Sequence, residues 1–346
     1  MRILNIMLAH GLGGVETMAL RYHEALKAAG TTVLSAGPRN GVLGKALKGP
    51  DFIPLSTLIS HDPFTASRLR RIAADFRPDI ILTHGNRATG IALLPFLGTA
   101  DKTVQVVHNF RHKRQVTRLK AAIAVSQPVR DSLAAAHPTL AVVTVDNFAP
   151  LSAHAVKPAP AGAPVLGTLG RLHVNKGLDT VLQAVARLHE EGVPLRLKIG
   201  GDGPLKEELT QLIAELGLNG HVEFAGWIGD TGAYLSGLDL FICSSRVEPF
   251  GLVVIESMAA GAAVVATDID GPRQILREGE LGYLCRKEDP AALAAAIRHA
   301  LGNWPETLKK AEAAQAYALS HFTLQAGQTR LAQALEQIVP FMAKKA

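Results

Sequence analysis

The protein is 346 residues long, which suggests two domains, each large enough to bury its own core. Charged residues make up 19% and hydrophobic residues 48% of the chain, which excludes wholesale disorder. The aromatic content of 5% favours helices alternating with buried strands over a β-sandwich or a nucleic-acid-binding surface that stacks bases on aromatic rings. The net charge of +6 is uneven, because residues 1–150 hold 18 Lys and Arg against 9 Asp and Glu, whereas residues 151–346 hold 18 against 21.

The first predicted element is a buried strand over residues 2–9. This run has no signal-peptide cleavage site and reaches a glycine turn too soon to cross a membrane. Cys243 and Cys285 have no Cys or His at ligand spacing, so neither a disulfide framework nor a zinc site is expected. These features predict a cytoplasmic protein.

A glycine turn, HGLGGVE at residues 10–16, follows the first strand and precedes a predicted helix that holds Met18 to Leu26. Backbone amides at such a helix start can bind phosphate, and Gly13 and Gly14 are the candidates for this contact. The alternative is a purely structural strand-to-helix turn. The turn is not a P-loop, because no Gly-Lys-Ser/Thr follows.

Further apolar runs rich in Ile, Val and Leu are separated by helix-length segments, the pattern of buried parallel strands. In the first half these runs cover residues 31–36, 79–83, 103–107, 121–125 and 141–145. A Pro- and Ala-rich connector follows at residues 149–164, and the second half continues with runs at residues 164–170, 195–201, 221–226, 238–245 and 262–268. The sequence therefore predicts an α/β fold of two doubly wound Rossmann-like domains, residues 1–150 and 151–324. It leaves open whether the last helix, about residues 325–346, packs back on the first domain.

The stretch from residue 102 to residue 120 is strongly basic, with no acidic residue between its cations. The cations are Lys102, Arg111, Lys113, Arg114, Arg118 and Lys120. A solvated surface is one interpretation; contact with an anionic partner, such as a membrane surface or a phosphorylated acceptor, is the other. Nucleic acid is not expected, because no aromatic interleaving or binding motif accompanies the charge.

Two motifs of the second half carry the chemistry. GRLHVNKG, residues 170–177, lies between a predicted strand and a helix, and its cations Arg171 and Lys176 suit a diphosphate. In SSRVEPFGLVVIESMAAG, residues 244–261, seven residues separate Glu248 from Glu256, and a helix is predicted to start near Phe250. The amides of residues 250–252 can then meet anionic or hydroxyl groups, while the carboxylates accept hydrogen bonds from sugar hydroxyls. A solvated helix face would explain one Glu, but not a Glu within VVIESMAAG.

These motifs, together with GxGP at Gly201 to Pro204, resemble those of the retaining glycosyltransferases of family 4, which have the GT-B fold. The resemblance covers most of the chain and is strongest from Gly170 to Gly261. It implies that the two domains face an interdomain cleft, with the nucleotide-sugar donor held mainly by the second domain. The resemblance implies that Arg171 and Lys176 bind the diphosphate of the donor and that Glu256 binds its ribose. It implies that Glu248 and the backbone of Phe250, Gly251 and Leu252 bind the transferred sugar. Gly13, Gly14 and Gly201, at the glycine turns, are further implied donor contacts.

His108, in VVHNF, resembles the family's histidine near the reacting centre, although a satisfied strand-end histidine is the alternative. His84, Ser126 and Asn147 also resemble family positions, and for them a supporting role in the site and a purely structural role are the two alternatives. The sequence departs from the family at residues 268–276, where Asp270 and Gln274 replace a Gly and a Glu. Asp268 and Asp270 also spell D-x-D, which binds a metal in another glycosyltransferase fold. The resembled family is metal-independent, so neither a metal nor another cofactor is expected.

The resemblance implies a transferase that moves a sugar, with retention, from a UDP- or GDP-sugar to a glycan or lipid-linked acceptor in lipopolysaccharide, capsule or other envelope polysaccharide synthesis. His108, Arg171, Lys176 and Glu248 are the catalytic candidates, and cations beside the leaving diphosphate favour front-face transfer over a covalent glycosyl-enzyme. The first domain would recognise the acceptor and would contact an anionic membrane peripherally through residues 102–120. Alternatives are a sugar-nucleotide epimerase, a phosphorylase, or a non-catalytic nucleotide-sugar-binding protein on the same fold.

Overall fold

The computed structural model describes residues 1–11, 13–57, 59, 62–111 and 113–343. The chain divides into two compact units, of which the first comprises Met1–Ala149 and Leu324–Ala346 and the second comprises Pro150–Thr323. Each unit is built around its own parallel sheet. Across the described ranges, no helix combines the length and the apolar character that a membrane crossing requires.

The first unit contains a seven-stranded parallel sheet within its described residues. Its strands are β1 (Arg2–Met7), β2 (Thr32–Gly37), β3 (Phe52–Pro54), β4 (Ile80–His84), β5 (Thr103–Val107), β6 (Ala121–Ala124) and β7 (Ala141–Thr144). Its helices before residue 150 are α1 (Gly14–Ala28), α2 (Val42–Ala46), α3 (Pro63–Phe76), α4 (Gly85–Ala92) and α5 (Gln127–Ala136). The order β3-β2-β1-β4-β5-β6-β7 extends in both directions from β1, as in a doubly wound sheet.

The second unit repeats this plan with a six-stranded parallel sheet in the order β10-β9-β8-β11-β12-β13. These strands are β8 (Val165–Leu169), β9 (Arg196–Gly200), β10 (Val222–Gly226), β11 (Leu240–Cys243), β12 (Ala263–Thr267) and β13 (Tyr283–Cys285). The helices are α6 (Leu178–Glu190), α7 (Lys206–Glu215), α8 (Thr231–Ser236), α9 (Leu252–Ala259), α10 (Asp270–Ile275), α11 (Pro290–Gly302) and α12 (Trp304–His321). The two Rossmann-like sheets predicted from the apolar runs are therefore confirmed; β3 and β13 are additional to the prediction.

The last described helix, α13 (Leu324–Ala343), belongs to the first unit although it follows the second in sequence. It packs against α1, β6 and β7 and buries Leu331, Leu335 and Ile338. Gly327 sits directly against the ring of Phe148, where a Cβ atom would overlap the ring carbons. This helix covers apolar surface that the rest of the first unit would expose.

Polar side chains fix where helices begin beside the strand ends. Ser126, a residue that matched a family position, accepts a hydrogen bond from the backbone N–H of Val129 at 3.4 Å and so caps α5. Asp289 caps α11 in the same way through the amides of Ala291 and Ala292. Ser126 therefore has a structural role in this fold.

Candidate functional site

Two glycine turns of the second unit, after β8 and after β9, lie backbone against backbone. Gly170 has φ 154° and Gly201 has φ 114°, conformations that favour glycine. The amide of Leu172 donates to the carbonyl of Asp202 at 3.0 Å, and a Cβ atom on Gly201 would overlap the carbonyl of Gly170. Gly201 therefore shapes the turn that carries Arg171. Arg171 itself is exposed, and the described residues offer its guanidinium no ion pair.

Lys176 ends a short 3₁₀ turn, Val174–Lys176, just before α6. Its carbonyl accepts a hydrogen bond of 2.7 Å from the hydroxyl of Ser244, at the end of β11. Gly177 has φ 60°, and a Cβ atom there would overlap the carbonyl of Ser244. The motif after β8 is thus pressed against the motif after β11.

This packing brings together two residues predicted from separate motifs. Lys176 Nζ lies 2.6 Å from Glu248 Oε2, and the hydroxyl of Ser245 donates to the same carboxylate oxygen at 3.2 Å. The Lys176 side chain is 31% exposed and that of Glu248 is 17% exposed, so water screens the pair only partly. Burial, the largest single influence, would lower the pKa of Lys176. The Glu248 charge, the nearby Cys243 and the hydrogen bond to Glu248 together outweigh it and raise the pKa, so the ammonium stays charged.

The aromatic side chain of the loop after Glu248 is buried and does not face a ligand. Phe250 is 2% exposed, and its ring packs edge-on against Phe322 with centroids 5.6 Å apart. The predicted helix is present and starts two residues after Phe250: Gly251 adopts φ 114° as the N-cap, and α9 begins at Leu252. Glu256 is half-buried in the second turn of α9.

The segment that departs from the family pattern holds this loop in place. The amide of Gly271 donates to the carbonyl of Glu248 at 3.1 Å, and a Cβ atom on Gly271 would overlap the carbonyl of Phe250. Asp268, the first residue of the D-x-D triplet, accepts a hydrogen bond of 2.5 Å from Arg273 Nε. In the described part of the chain, no three His, Cys, Asp or Glu side chains cluster as metal ligands would.

Arg246 is a residue of this site that the sequence analysis missed. Its guanidinium contacts Asp179 at 2.6 Å, Glu288 at 2.8 Å and the carbonyl of Val174 at 2.6 Å. Its amide also donates to the carbonyl of Asn175 at 2.8 Å. Arg246 therefore ties the end of β11 to the turn that carries Lys176. Its only sequence signal is its place within SSRVEP, because its side-chain partners are 42 to 72 residues away.

In the first unit, His108 lies at the end of a chain of hydrogen bonds. Asn5 Nδ2 donates to the carbonyl of Ala19 at 2.9 Å and to Ser35 Oγ at 3.0 Å, which directs Asn5 Oδ1 toward His84. His84 Nε2 lies 2.9 Å from that oxygen, and His84 Nδ1 lies 3.1 Å from His108 Nε2. Two positions that matched the family by sequence, His84 and His108, are thus direct partners.

This chain fixes the proton positions on both rings. Because Asn5 Oδ1 only accepts, His84 Nε2 carries the hydrogen, and the Nδ1 of neutral His84 accepts a hydrogen bond from His108 Nε2. Burial lowers the pKa of His108 to about 3, and burial followed by the neighbouring His108 ring holds the pKa of His84 well below its usual value. His108 is therefore neutral near pH 7, and its Nδ1 is left as a hydrogen-bond acceptor.

The glycine turn after β1 has a different environment from the one the phosphate prediction assumed. Gly13 is the N-cap of α1 and Gly14 its first residue. The Glu16 carboxylate lies over this turn, since Cβ atoms on Gly11 and Gly13 would approach it to 2.8 and 3.1 Å. An anion bound here would compete with that carboxylate. Leu12 of the same turn lies outside the described residues.

Two cations of the basic stretch at residues 102–120 are engaged by residues outside it, one of them by an opposite charge. Lys120 pairs with Asp101 at 2.9 Å, and Lys102 Nζ donates to the carbonyl of Pro78 at 3.0 Å. Lys113, Arg114 and Arg118 are exposed, as is Arg111. His112 lies outside the described residues. The cationic surface is therefore narrower than the six residues suggest.

Each unit matches a family model of glycosyltransferases. The sequence model of the family described as "Glycosyl transferases group 1" matches residues 152–319, and that described as "Glycosyltransferase Family 4" matches residues 12–151. The lipopolysaccharide core biosynthesis glycosyltransferase LpsE of Rhizobium meliloti is 44% identical over 138 residues, which is 40% of this chain and 39% of LpsE. The chain thus aligns with less than half the length of that relative. Phosphatidyl-myo-inositol mannosyltransferase of Mycobacterium leprae is 29% identical over 321 residues, 84% of each chain.

A solved structure agrees with the fold over nearly the whole chain. The crystal structure of Anabaena HepE in complex with UDP superimposes with a TM-score of 0.83 at 21% identity, covering 97% of this chain and 100% of HepE. The fold expected from the resemblance, two Rossmann-like units of GT-B type, is confirmed. Since the two family matches together span residues 12–319, the chain belongs to the group 1 glycosyl transferases of glycosyltransferase family 4.

Proposed function

We propose that the protein transfers a sugar from a nucleoside diphosphate sugar, with retention of anomeric configuration, to a hydroxyl of a glycan or lipid-linked acceptor. The observation that carries the proposal is the Lys176–Glu248 pair, joined at 2.6 Å beside the glycine turns of the second unit. The names of LpsE and of the mannosyltransferase support an envelope glycan or glycolipid as the product class. HepE has been crystallised with UDP-glucose, which supports a donor of this type.

In this proposal, Lys176 and Arg171 hold the donor diphosphate. Their charges, with the amides at the start of α9, stabilise the negative charge that grows on the diphosphate as the bond to the anomeric carbon breaks. Among the described residues, the Lys176 ammonium is paired with Glu248, and its long flexible side chain lets it turn from the carboxylate to a phosphate oxygen. Glu248 then accepts a hydrogen bond from the sugar, and Glu256 one from the ribose.

In this proposal, the sugar is transferred by a front-face mechanism. The acceptor oxygen forms its bond to the anomeric carbon on the side from which the diphosphate leaves, and the acceptor's proton passes to the departing phosphate oxygen. Glu248, the carboxylate assigned to the sugar, accepts a hydrogen bond from Ser245 on the oxygen that Lys176 releases, which favours hydrogen bonding over nucleophilic attack. His108 serves as a neutral hydrogen-bond acceptor for a sugar hydroxyl, not as an acid, because the His84 contact keeps its proton on Nε2.

The acceptor belongs to the first unit in this proposal. The exposed cations Lys113, Arg114 and Arg118 suit an anionic acceptor or the anionic membrane surface that carries it. This contact would be peripheral.

The test is a binding and turnover screen on the full chain. UDP, GDP, ADP, CMP and their sugar conjugates are compared by thermal shift with and without EDTA, since a ligand at 100 times its Kd adds about 2.7 kcal/mol of stability. One base-selective shift that survives EDTA and disappears in Lys176→Met supports the proposal. NMR of the anomeric configuration of the product then tests retention. Donor conversion without an added acceptor would indicate an epimerase, dependence on inorganic phosphate a phosphorylase, and binding without turnover a non-catalytic protein.

A further inference from the structure

A fully buried polar side chain, that of Asn5, lies within the apolar strand β1. It is 0% exposed, as are its neighbours Leu4 and Ile6. A buried amide is costly unless its hydrogen-bonding groups all find partners, and a leucine of similar size would fill the same space without that cost. The polar side chain at this position therefore needs a reason other than packing.

The amide of Asn5 is held in one orientation by groups other than the histidine that it contacts. Its nitrogen donates to the carbonyl of Ala19 at 2.9 Å and to Ser35 Oγ at 3.0 Å. Since a backbone carbonyl only accepts, the NH₂ group must face Ala19, and the oxygen must face His84 Nε2, which lies 2.9 Å away. The backbone of α1 thus decides that Asn5 presents an acceptor to His84.

That acceptor sets the direction of the two hydrogen bonds that follow. Burial holds the pKa of His84 well below its usual value, so the ring is neutral and carries one proton. With the Asn5 oxygen at Nε2, this proton lies on Nε2, and Nδ1 accepts from His108 Nε2, 3.1 Å away. Without an acceptor at Asn5, the proton of His84 could move to Nδ1, and that of His108 would then move to its own Nδ1. One amide therefore determines the protonated nitrogen of a ring that it does not touch.

The other contacts of His84 hold the ring without choosing its tautomer. Tyr22 packs edge-on against it, with centroids 5.1 Å apart and an interplanar angle of 88°, which restricts rotation of the ring. Within the described part of the chain, Asn5 and His108 are the hydrogen-bond partners of the His84 side chain. Because His84 is 1% exposed, bulk water does not compete for either nitrogen. The choice of tautomer is left to Asn5.

We propose that Asn5 is a positioning residue for the transfer reaction: acting through His84, it keeps the proton of His108 on Nε2, so that His108 Nδ1 can accept a hydrogen bond from the substrate. Asn5 itself touches no proposed substrate group. The inference rests on the proposed function for the role of His108, but the proton positions that it requires can be measured without turnover.

The test is ¹⁵N NMR of the histidine rings in the full chain at pH 7, with the signals assigned from His84→Gln and His108→Gln. In the wild type, both rings should be neutral with an unprotonated Nδ1. Asn5→Leu keeps the volume but removes the accepting oxygen, so a fraction of His108 should become protonated on Nδ1. Ser35→Ala is the matched control, because it removes one partner of Asn5 but leaves the Ala19 carbonyl. Its proton positions should be those of the wild type.

Kinetics on the same variants separate positioning from a merely structural role. The kcat of Asn5→Leu should fall about five- to tenfold, the size of one neutral hydrogen bond, while the Kd of the nucleoside diphosphate stays unchanged because the second unit holds it. Ser35→Ala should keep the wild-type kcat. Asn5→Ala removes the same oxygen without adding bulk and should shift the same proton, so the test does not depend on the folding of Asn5→Leu.

Two results would overturn the inference. One is a His108 ring that carries its proton on Nδ1 in the wild type, and the other is unchanged proton positions in both Asn5→Leu and Asn5→Ala. Absence of turnover with every donor would count against the proposed function alone, since the NMR experiment needs no substrate.

Discussion

Lys176 and Glu248 are each other's partner, joined by a contact of 2.6 Å across 72 residues of chain. Each was assigned a separate part of the donor, the diphosphate for Lys176 and the sugar for Glu248. The Glu248 carboxylate pairs with the ammonium that the diphosphate would need. Binding of a diphosphate must therefore compete with Glu248, and this competition can be measured.

Glu248→Gln is expected to tighten the binding of the nucleoside diphosphate alone. The substitution removes the charge that holds Lys176 and that repels the diphosphate, so the Kd should fall several-fold, within the ~1 kcal/mol typical of partly screened ion pairs. Turnover should fall at the same time, because the amide no longer accepts the sugar's hydrogen bond as a carboxylate does. Titration calorimetry with the nucleotide selected by the screen measures the first effect. Lys176→Met is the control, because it should raise the Kd of the nucleotide instead of lowering it. A higher Kd in Glu248→Gln than in the wild type would contradict this account.

Gly271→Ala is expected to destabilise the second unit and disturb the loop that carries Glu248. A Cβ atom there would overlap the carbonyl of Phe250 and come within 2.6 Å of the carbonyl of Glu248, and backbone cannot move aside as a flexible side chain can. Overpacking of this kind costs about 1–3 kcal/mol, measurable by urea denaturation. Gly229→Ala is the matched control, because nothing lies within 4 Å of its Cβ position. Equal losses in the two variants would refute the close approach at Gly271.

Arg246→Ala is expected to weaken nucleotide binding with little effect on turnover at saturating donor. Arg246 touches no proposed ligand group, but it contacts Asp179, Glu288 and the carbonyl of Val174, and so holds the turn of Lys176. Loss of these three guanidinium contacts should raise the donor KM about tenfold. Arg246→Lys should recover only part of the donor affinity, because an ammonium cannot reach three partners in different directions. Arg298→Ala removes a two-bonded pair with Glu191 on another part of the unit and should leave the KM unchanged. A fall in kcat alone would point to a different role for Arg246.

The first unit is expected to lose stability as the solution is acidified below about pH 6.5. His84 and His108 have folded-state pKa values below the usual 6.5, that of His108 about 3, so the unfolded chain binds protons that the folded chain does not. Stability is then present in full above pH 6.5 and declines toward pH 3, by at most about 1.4 kcal/mol per pH unit for each ring. NMR titration of the ring C2–H signals checks the cause: neither ring should titrate between pH 5 and 8. A titration midpoint near pH 6.5 for either ring would contradict the proton positions assigned to His84 and His108.

Anionic vesicles should bind the first unit through part of the basic stretch only. Arg114→Gln with Arg118→Gln removes two exposed charges, each contributing about 1 kcal/mol near an anionic surface, and should reduce co-sedimentation with phosphatidylserine vesicles. Lys102→Gln with Lys120→Gln removes the same formal charge, but these side chains already contact Pro78 and Asp101, so the loss should be smaller. Binding of the wild type should weaken with added salt. Equal effects of the two double variants would show that total charge, not this cluster, determines binding.

The strands were predictable because a buried parallel strand needs little more than a run of Ile, Val and Leu. β3 was not predicted because it is only three residues long and ends in Pro54, and β13 was not predicted because it is equally short. The start of α9 was displaced because Gly251 takes up a positive φ that residue identity alone does not fix.

Contacts between distant segments could not be predicted, since they depend on which strand ends meet. Periodicity reports which residues are buried but not the register of β1, β4 and β5, which brings Asn5, His84 and His108 together. For the same reason the pairing of Lys120 with Asp101 was not foreseen, although both residues were visible at the two ends of the basic stretch.

The position of α13 governs the order in which the protein can fold during synthesis. The second unit is one continuous segment, Pro150–Thr323, and can complete its core as soon as that segment has left the ribosome. The first unit, although it emerges earlier, leaves Phe148 and the surface of α1 uncovered until Leu324–Ala343 has been made. A fragment that stops at Ala149 would therefore expose apolar surface and aggregate, whereas residues 1–149 joined by a short linker to residues 324–343 would carry a complete core.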